Sequence, residues 1–285
     1  MSIRRLEHVI HAMPTSDGAG VKLRRSLGQS QSTRLDPFLM LDEFSSDQPG
    51  DYIAGFPPHP HRGFETVTYM LDGHMLHEDN MGNRGDLKSG DVQWMTAGRG
   101  IIHSEMPQQE RGLLRGFQLW INLPAKEKMK PASYRDISSF QIPVIERADG
   151  VWIKVIAGKV MDGEKHVEGP VSGRTTEPLY LDVRLPKGGH FSHALIADHN
   201  AFVYAYEGNV EIGAGDERRL LAAHNVGVLS HGEQIELYSE GGPARMLLLA
   251  GRPLKEPVVQ RGPFVMNTRE EIEQALYDYQ HGQLV

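Results

Sequence analysis

The chain has 285 residues, 39% of them hydrophobic and 24% charged, with a net charge of −7 and no cysteine. Such a composition fits an ordinary globular protein of one large or two mid-sized domains, and it excludes disulfides and thiolate metal sites. It also argues against direct nucleic-acid binding, because phosphate neutralisation needs a clustered excess of Lys and Arg, and Arg4-Arg5 and Arg24-Arg25 read as solvated faces or strand edges.

In chain order, the stretch from Met1 to Pro14 carries basic residues but no apolar core long enough for a signal peptide. No later run is long enough to span a bilayer, so a cytoplasmic protein without a membrane partner is expected. Up to Asp51, short apolar runs alternate with turns, as in Val21-Lys-Leu-Arg-Arg-Ser-Leu27 before Gly28 and Phe38-Leu-Met-Leu41 before Asp42-Glu43, which predicts strands.

Next comes Phe56-Pro-Pro-His59-Pro-His61-Arg-Gly-Phe-Glu65, answered about forty residues later by Gly98-Arg-Gly-Ile-Ile-His103-Ser-Glu105. Side chains alternate faces along a strand, so His59 and His61 share one face, as do His103 and Glu105, with residues two apart separated by about 6.6 Å. Each pair is therefore able to lean onto one ion. His-Pro-His alone would equally suit a solvated, proline-stiffened loop; the second pair, from a separate segment, supplies the missing ligands of a mononuclear three-His, one-Glu centre. Imidazole with carboxylate suits iron, nickel, copper, manganese or zinc rather than calcium. Glu65 is placed either as a fifth ligand or as a hydrogen-bonding neighbour of the site.

Thr66-Val-Thr-Tyr-Met-Leu71 reads as a strand closed by Asp72-Gly73, with His74-Met-Leu-His77 as the return arm of a hairpin. His74 and His77 are three apart, face opposite ways on a strand, and are expected to be solvated and outside the site. Val92-Gln-Trp-Met95 restarts the strand pattern, and Phe117-Gln-Leu-Trp-Ile-Asn-Leu123 is expected to finish the first domain, 1–123. The charged stretch with Pro124 and Pro131 reads as a linker, 124–141.

A second domain, 142–285, follows in the same rhythm of short strands and turns, which means a sandwich or barrel. Its Gly189-His190-Phe-Ser-His193 has histidines three apart and no His-x-Glu after them, so it is expected to lack a metal. Thr268-Arg-Glu-Glu271 is a capping box opening a helix, with Ile272, Ala275, Leu276 and Tyr279 as a stripe docking on its own domain and Gly282 as the stop.

The spacing Gly55, His59-x-His61, Glu65, Gly73 resembles the first cupin motif, and Gly90 to His103 a modified second one. Closer still, the runs His59-Pro-His-Arg-Gly-Phe-Glu-Thr-Val-Thr-Tyr69, Gln93-Trp-Met-Thr-Ala-Gly-Arg-Gly-Ile-Ile-His103-Ser-Glu-Met-Pro107, Leu119-Trp-Ile-Asn-Leu123 and Gly262-Pro-Phe-Val-Met-Asn-Thr268 resemble the pirin family. That resemblance implies an all-β fold of two cupin (double-stranded β-helix, jelly-roll) barrels in tandem with a short C-terminal helix. It implies metal ligands at His59, His61, His103 and Glu105, with Glu65 not binding directly.

One divalent ion per chain is expected, iron(II) first, with nickel, copper, cobalt, manganese or zinc as alternatives. The activity implied by the resemblance is quercetin 2,3-dioxygenation, with a flavonol and dioxygen as partners of a monomer and Glu105 as both ligand and proton acceptor. The second reading is a non-enzymatic, redox-sensing protein that binds a protein partner, as eukaryotic pirins are associated with transcriptional co-regulation. Third comes a cupin-type sugar isomerase, which would need a phosphate clamp for which Arg62 and Arg99 are the near candidates.

Overall fold

The computed structural model describes residues 2–285. In chain order the first strands are β1 (Leu6–His11), β2 (Met13–Asp17), β3 (Val21–Arg25), β4 (Phe38–Ser46), β5 (Phe56–His61), β6 (Phe64–Asp72), β7 (His74–Asp79), β8 (Arg84–Lys88), β9 (Val92–Thr96), β10 (Ile101–Pro107), β11 (Leu114–Asn122) and β12 (Ser133–Ile137). There follow β13 (Val144–Glu146), β14 (Trp152–Ala157), β15 (Lys159–Asp162), β16 (Lys165–Glu168), β17 (Leu179–Leu185), β18 (His190–Ala194), β19 (Asn200–Glu207), β20 (Val210–Ile212), β21 (Arg219–Leu221), β22 (Asn225–Leu229), β23 (Gln234–Tyr238) and β24 (Ala244–Gly251). The chain closes with β25 (Val259–Arg261), β26 (Phe264–Met266) and helix α1 (Arg269–Gln280). No helix among the described residues is long and apolar enough to cross a membrane.

Two compact units divide the chain, each built from two antiparallel sheets of seven and four strands. The histidine unit comprises residues 13–34, 38–139 and 254–285. Its larger sheet runs β12-β9-β6-β11-β4-β3-β2 and its smaller one β5-β10-β7-β8. Val21, Leu23, Phe44 and Met70 from the first sheet and Met75 and Leu87 from the second form one apolar cluster, so the inner faces pack together as in a barrel. The apolar unit comprises residues up to Ala12, 35–37 and 140–253, with sheets β1-β22-β19-β24-β17-β14-β13 and β18-β23-β20-β21. Its interior is a continuous, mainly aliphatic core including Val155, Leu181, Val203, Leu248, Phe191 and Leu237, each fully buried. The expected architecture of two barrels and one C-terminal helix is therefore present.

Four details differ from the sequence reading. Contiguous domains at 1–123 and 142–285 miss an exchange of chain ends: β1 pairs with β22 in the apolar unit, while 254–285 belongs to the histidine unit. The 124–141 stretch is no linker over most of its length, because β12 extends the larger histidine-unit sheet along β9, from Ser133↔Thr96 to Ile137↔Val92. Asp72-Gly73 does not join a hairpin: β6 pairs with β9 and β11, β7 with β8 and β10, so this turn carries the chain between sheets. The helix has its capping box, Thr268 and Glu271 each accepting the other's backbone N–H at 3.2 and 3.0 Å, but its buried Ile272 and Ala275 pack with Phe264, Met266 and Ile102 of the histidine unit.

Candidate metal centre

β5 is a strand containing three prolines, which is sustainable because it is the edge of the four-stranded sheet and needs few donors. Its partner β10 runs antiparallel with His103 opposite His59 and Ile101 opposite His61. Cross-strand pairing and the two-residue period thus bring all three histidines onto one face. Ring centroids are 4.3 Å apart for His59 and His103, 4.7 Å for His59 and His61, and 4.9 Å for His61 and His103. One ring nitrogen from each lies within 4.8 Å of the other two, and this is the single such group among the described residues.

The donor chemistry fits a metal ion. His61 and His103 are almost fully buried, and burial, reinforced by the neighbouring imidazoles, holds both well below the usual histidine range, so they are neutral with lone pairs available. Both ring nitrogens of His61 and Nε2 of His103 are buried without a hydrogen-bond partner, which is costly unless something else engages them. His59 Nδ1–H donates to the Pro57 carbonyl at 2.8 Å, which leaves its Nε2 to face the other rings.

Glu105, also buried, lines the same cavity as His59 and His61. Its carboxylate stands apart from the clustered nitrogens: Oε1 lies 3.0 Å from Thr68 Oγ1, and Oε2 accepts from Gln118 Nε2 at 3.3 Å. Glu65 is buried on β6 and accepts from Thr96 Oγ1 at 2.6 Å, the hydrogen-bonding role rather than a place in the histidine group.

The expectation that His74 and His77 are solvated is half right. His74 is partly exposed and bonded to Asp86, whereas His77 is fully buried on β7, opposite Glu105 in register. Its Nδ1 is 3.3 Å from His103 Nδ1, and its ring lies 4.7 Å from that of His103. A metal held at Nε2 of His103 would leave the proton on its Nδ1, from which it would donate to His77 and so fix the ring's tautomer and tilt. The available signal was the alternation Met75-Leu-His77, which puts His77 on the face of the core residue Met75.

Arg62 is not a phosphate clamp. It is buried, pairs with Asp278 of α1 at 2.7 Å and donates to the Arg99 carbonyl. The cavity beside the histidines measures about 590 Å³, and its lining includes Met40, Phe44, Phe56, Met75 and Trp120 together with the polar Arg25, Asp42, Thr68 and Gln118. In the apolar unit, His190 is bonded to Glu236 and stacked on Tyr238.

Comparison with known proteins matches this arrangement. The pirin family model covers residues 20–121 and the model of the pirin C-terminal cupin domain residues 180–285. A Pseudomonas aeruginosa protein, provisionally named quercetin 2,3-dioxygenase, is 56% identical over 271 residues, 95% of this chain and 94% of that one. Human pirin is 44% identical over 269 residues, 93% of this chain and 89% of its own. The crystal structure of a quercetin 2,3-dioxygenase from Acinetobacter baumannii superposes with a TM-score of 0.90 at 32% identity, covering 99% of both chains. Two barrels of the cupin type, with three clustered histidines in one and an aliphatic interior in the other, and relatives this similar along nearly the whole length, make the chain a member of the pirin family.

Proposed function

We propose that the chain is a metal-dependent dioxygenase of flavonols, opening the oxygen heterocycle of a quercetin-like substrate with dioxygen and releasing one carbon as carbon monoxide. The observation that carries this reading is the meeting, in one cavity of about 590 Å³, of His59 and His61 of the histidine cluster, Glu105 and apolar, partly aromatic walls. The similarity to proteins named for this activity supports it.

His59, His61, His103 and Glu105 would hold the ion, with iron(II) the first expectation. A divalent ion there supplies Lewis acidity and, where redox-active, a route for electrons between substrate and dioxygen. The protein does the rest. The apolar walls strip water from a flat aromatic ligand and orient it. Glu105 accepts the proton of the substrate hydroxyl, for which a carboxylate within hydrogen-bond reach of the incoming oxygen is the geometric requirement. Gln118 donates from Nε2 to one carboxylate oxygen and is itself positioned by Thr68, whose hydroxyl donates to Gln118 Oε1 at 2.6 Å beside the other carboxylate oxygen.

Oxygen uptake with and without quercetin, after anaerobic loading with iron, copper, nickel, cobalt or manganese, tests the reading. Flavonol-dependent uptake with at least one metal is the expected result. Glu105→Gln, compared per bound ion, should be slower by roughly 10²-fold or more. An unaltered rate in that variant would remove Glu105 as the base, and an absence of flavonol-dependent uptake with every metal would end the dioxygenase reading.

A further inference from the structure

One row of directly opposed residues crosses the larger sheet of the histidine unit: Arg25 on β3, Asp42 on β4, Gln118 on β11, Thr68 on β6, Gln93 on β9 and Asp136 on β12. Opposed residues share a face, and Arg25, Asp42, Gln118 and Thr68 all line the cavity. The apolar unit has the same seven-strand layout, yet its interior row across β19, β24, β17 and β14 is Val203, Leu248, Leu181 and Val155. Burying polar groups is unfavourable where aliphatic ones would serve, so the polar row calls for a reason other than stability.

Two of the six are already accounted for by Glu105, with Gln118 donating to its carboxylate and Thr68 beside it, and Gln93 donates to Asp136 at 2.7 Å. The remaining two are Arg25 and Asp42: Arg25 donates to Asp42 through Nε at 2.8 Å and Nη2 at 2.7 Å, and to Asp17 through Nη2 at 2.8 Å. No group among the described residues engages its Nη1. Two carboxylates around one guanidinium leave the cluster with a charge near −1 and with spare acceptor lone pairs beside an N–H donor. That disfavours a carboxylate or phosphate and suits neutral hydroxyls, which both donate and accept. Two strand spacings, roughly 10 Å, separate Arg25 from Gln118, with Asp42 between them.

We propose that Arg25, Asp42 and Asp17 form a second polar subsite, which binds phenolic hydroxyls at the end of a flat aromatic ligand remote from the histidines and so sets substrate choice. The proposal rests on the reading above that the cavity takes a flavonol. Two probes separate them: quercetin, which carries hydroxyls on all rings, and 3-hydroxyflavone, which keeps only the hydroxyl beside the carbonyl. Both are titrated anaerobically into metal-loaded protein, and the ratio of their Kd values is the readout. In Arg25→Met/Asp42→Leu, which removes the pair without stranding a buried charge, the preference for quercetin should shrink by tenfold or more. Asp17→Asn, at an exposed position, should shrink it several-fold, and it serves if the double variant fails to fold. A ratio equal to the parent's in folded variants overturns the subsite whether or not the protein turns quercetin over. Binding of both probes without oxygen uptake ends the oxygenase reading while the ratio still decides the subsite, and binding of neither to the parent ends both.

Discussion

Three of the four proposed ligands were legible because strand periodicity is local: His-x-His and a following His-x-Glu are each two residues apart, and the structure brings His59, His61 and His103 together. Contacts made across strands were not legible. The burial of His77 was readable from its alternation with Met75, but its contact with His103 needs the register of β7 against β10, and Gln118 and Thr68 need that of β11 against β6, neither of which any short window encodes. Metal content should fall in His59→Ala, His61→Ala and His103→Ala but not in His74→Ala, whose side chain is committed to Asp86. His77→Phe keeps the buried ring but removes the acceptor for His103 Nδ1–H, so metal affinity should drop by roughly 10- to 100-fold in competition with a chelator. Affinity equal to the parent's would reduce His77 to packing.

At the scale of elements, a strong turn signal was read correctly as a turn and wrongly as a hairpin. Gly73 has φ of 102°, a conformation that favours glycine, but the turn feeds a different sheet. Turn chemistry specifies a reversal of direction; only the tertiary hydrophobic face chooses the partner strand. The helix, by contrast, was readable to the residue because its cap is closed by Thr268 and Glu271 alone. Thr268→Ala should cost about 1 kcal/mol in thermal or denaturant unfolding. Gly63, between β5 and β6, is the stricter case: φ is 90°, and a Cβ would lie 2.0 Å from the Val265 carbonyl oxygen. There β26 lies against the residue after the ligand strand, with Val265 N–H bonded to the Arg62 carbonyl at 3.0 Å. Gly63→Ala should therefore cost about 3 kcal/mol. A melting temperature matching the parent's would show that β26 yields freely.

On the scale of the whole chain, the exchange of ends had no signature in composition or periodicity, since β1 and residues 254–285 would satisfy the same local patterns in either barrel. Beside the packing of α1 and the Arg62–Asp278 pair, a buried cation joins the C-terminal segment to the histidine unit. Lys128, 1% exposed and within the stretch expected to be a solvated linker, donates from Nζ to Asn122 Oδ1 at 2.6 Å, the Gly63 carbonyl at 2.7 Å and the Val265 carbonyl at 3.0 Å. Three acceptors match the three N–H bonds of an ammonium, but all are neutral, and burial lowers the Lys128 pKa to about 8. An unfolded lysine titrates near 10.4, so between about pH 8 and 10.4 the unfolded chain holds more protons and stability rises with pH. Below pH 8 both states are charged and the burial penalty is fully present; across the window it is relieved by about 3 kcal/mol at 1.36 kcal/mol per unit. Lys128→Met carries no such titration, and the difference between parent and variant cancels the other groups that ionise there. Unfolding free energies from urea melts should show that difference growing by about 3 kcal/mol in favour of the parent from pH 8 to 10.4. A difference that stays level would mean that the three acceptors hold the ammonium as well as water does, and that the C-terminal segment is fastened by a lysine with an ordinary pKa.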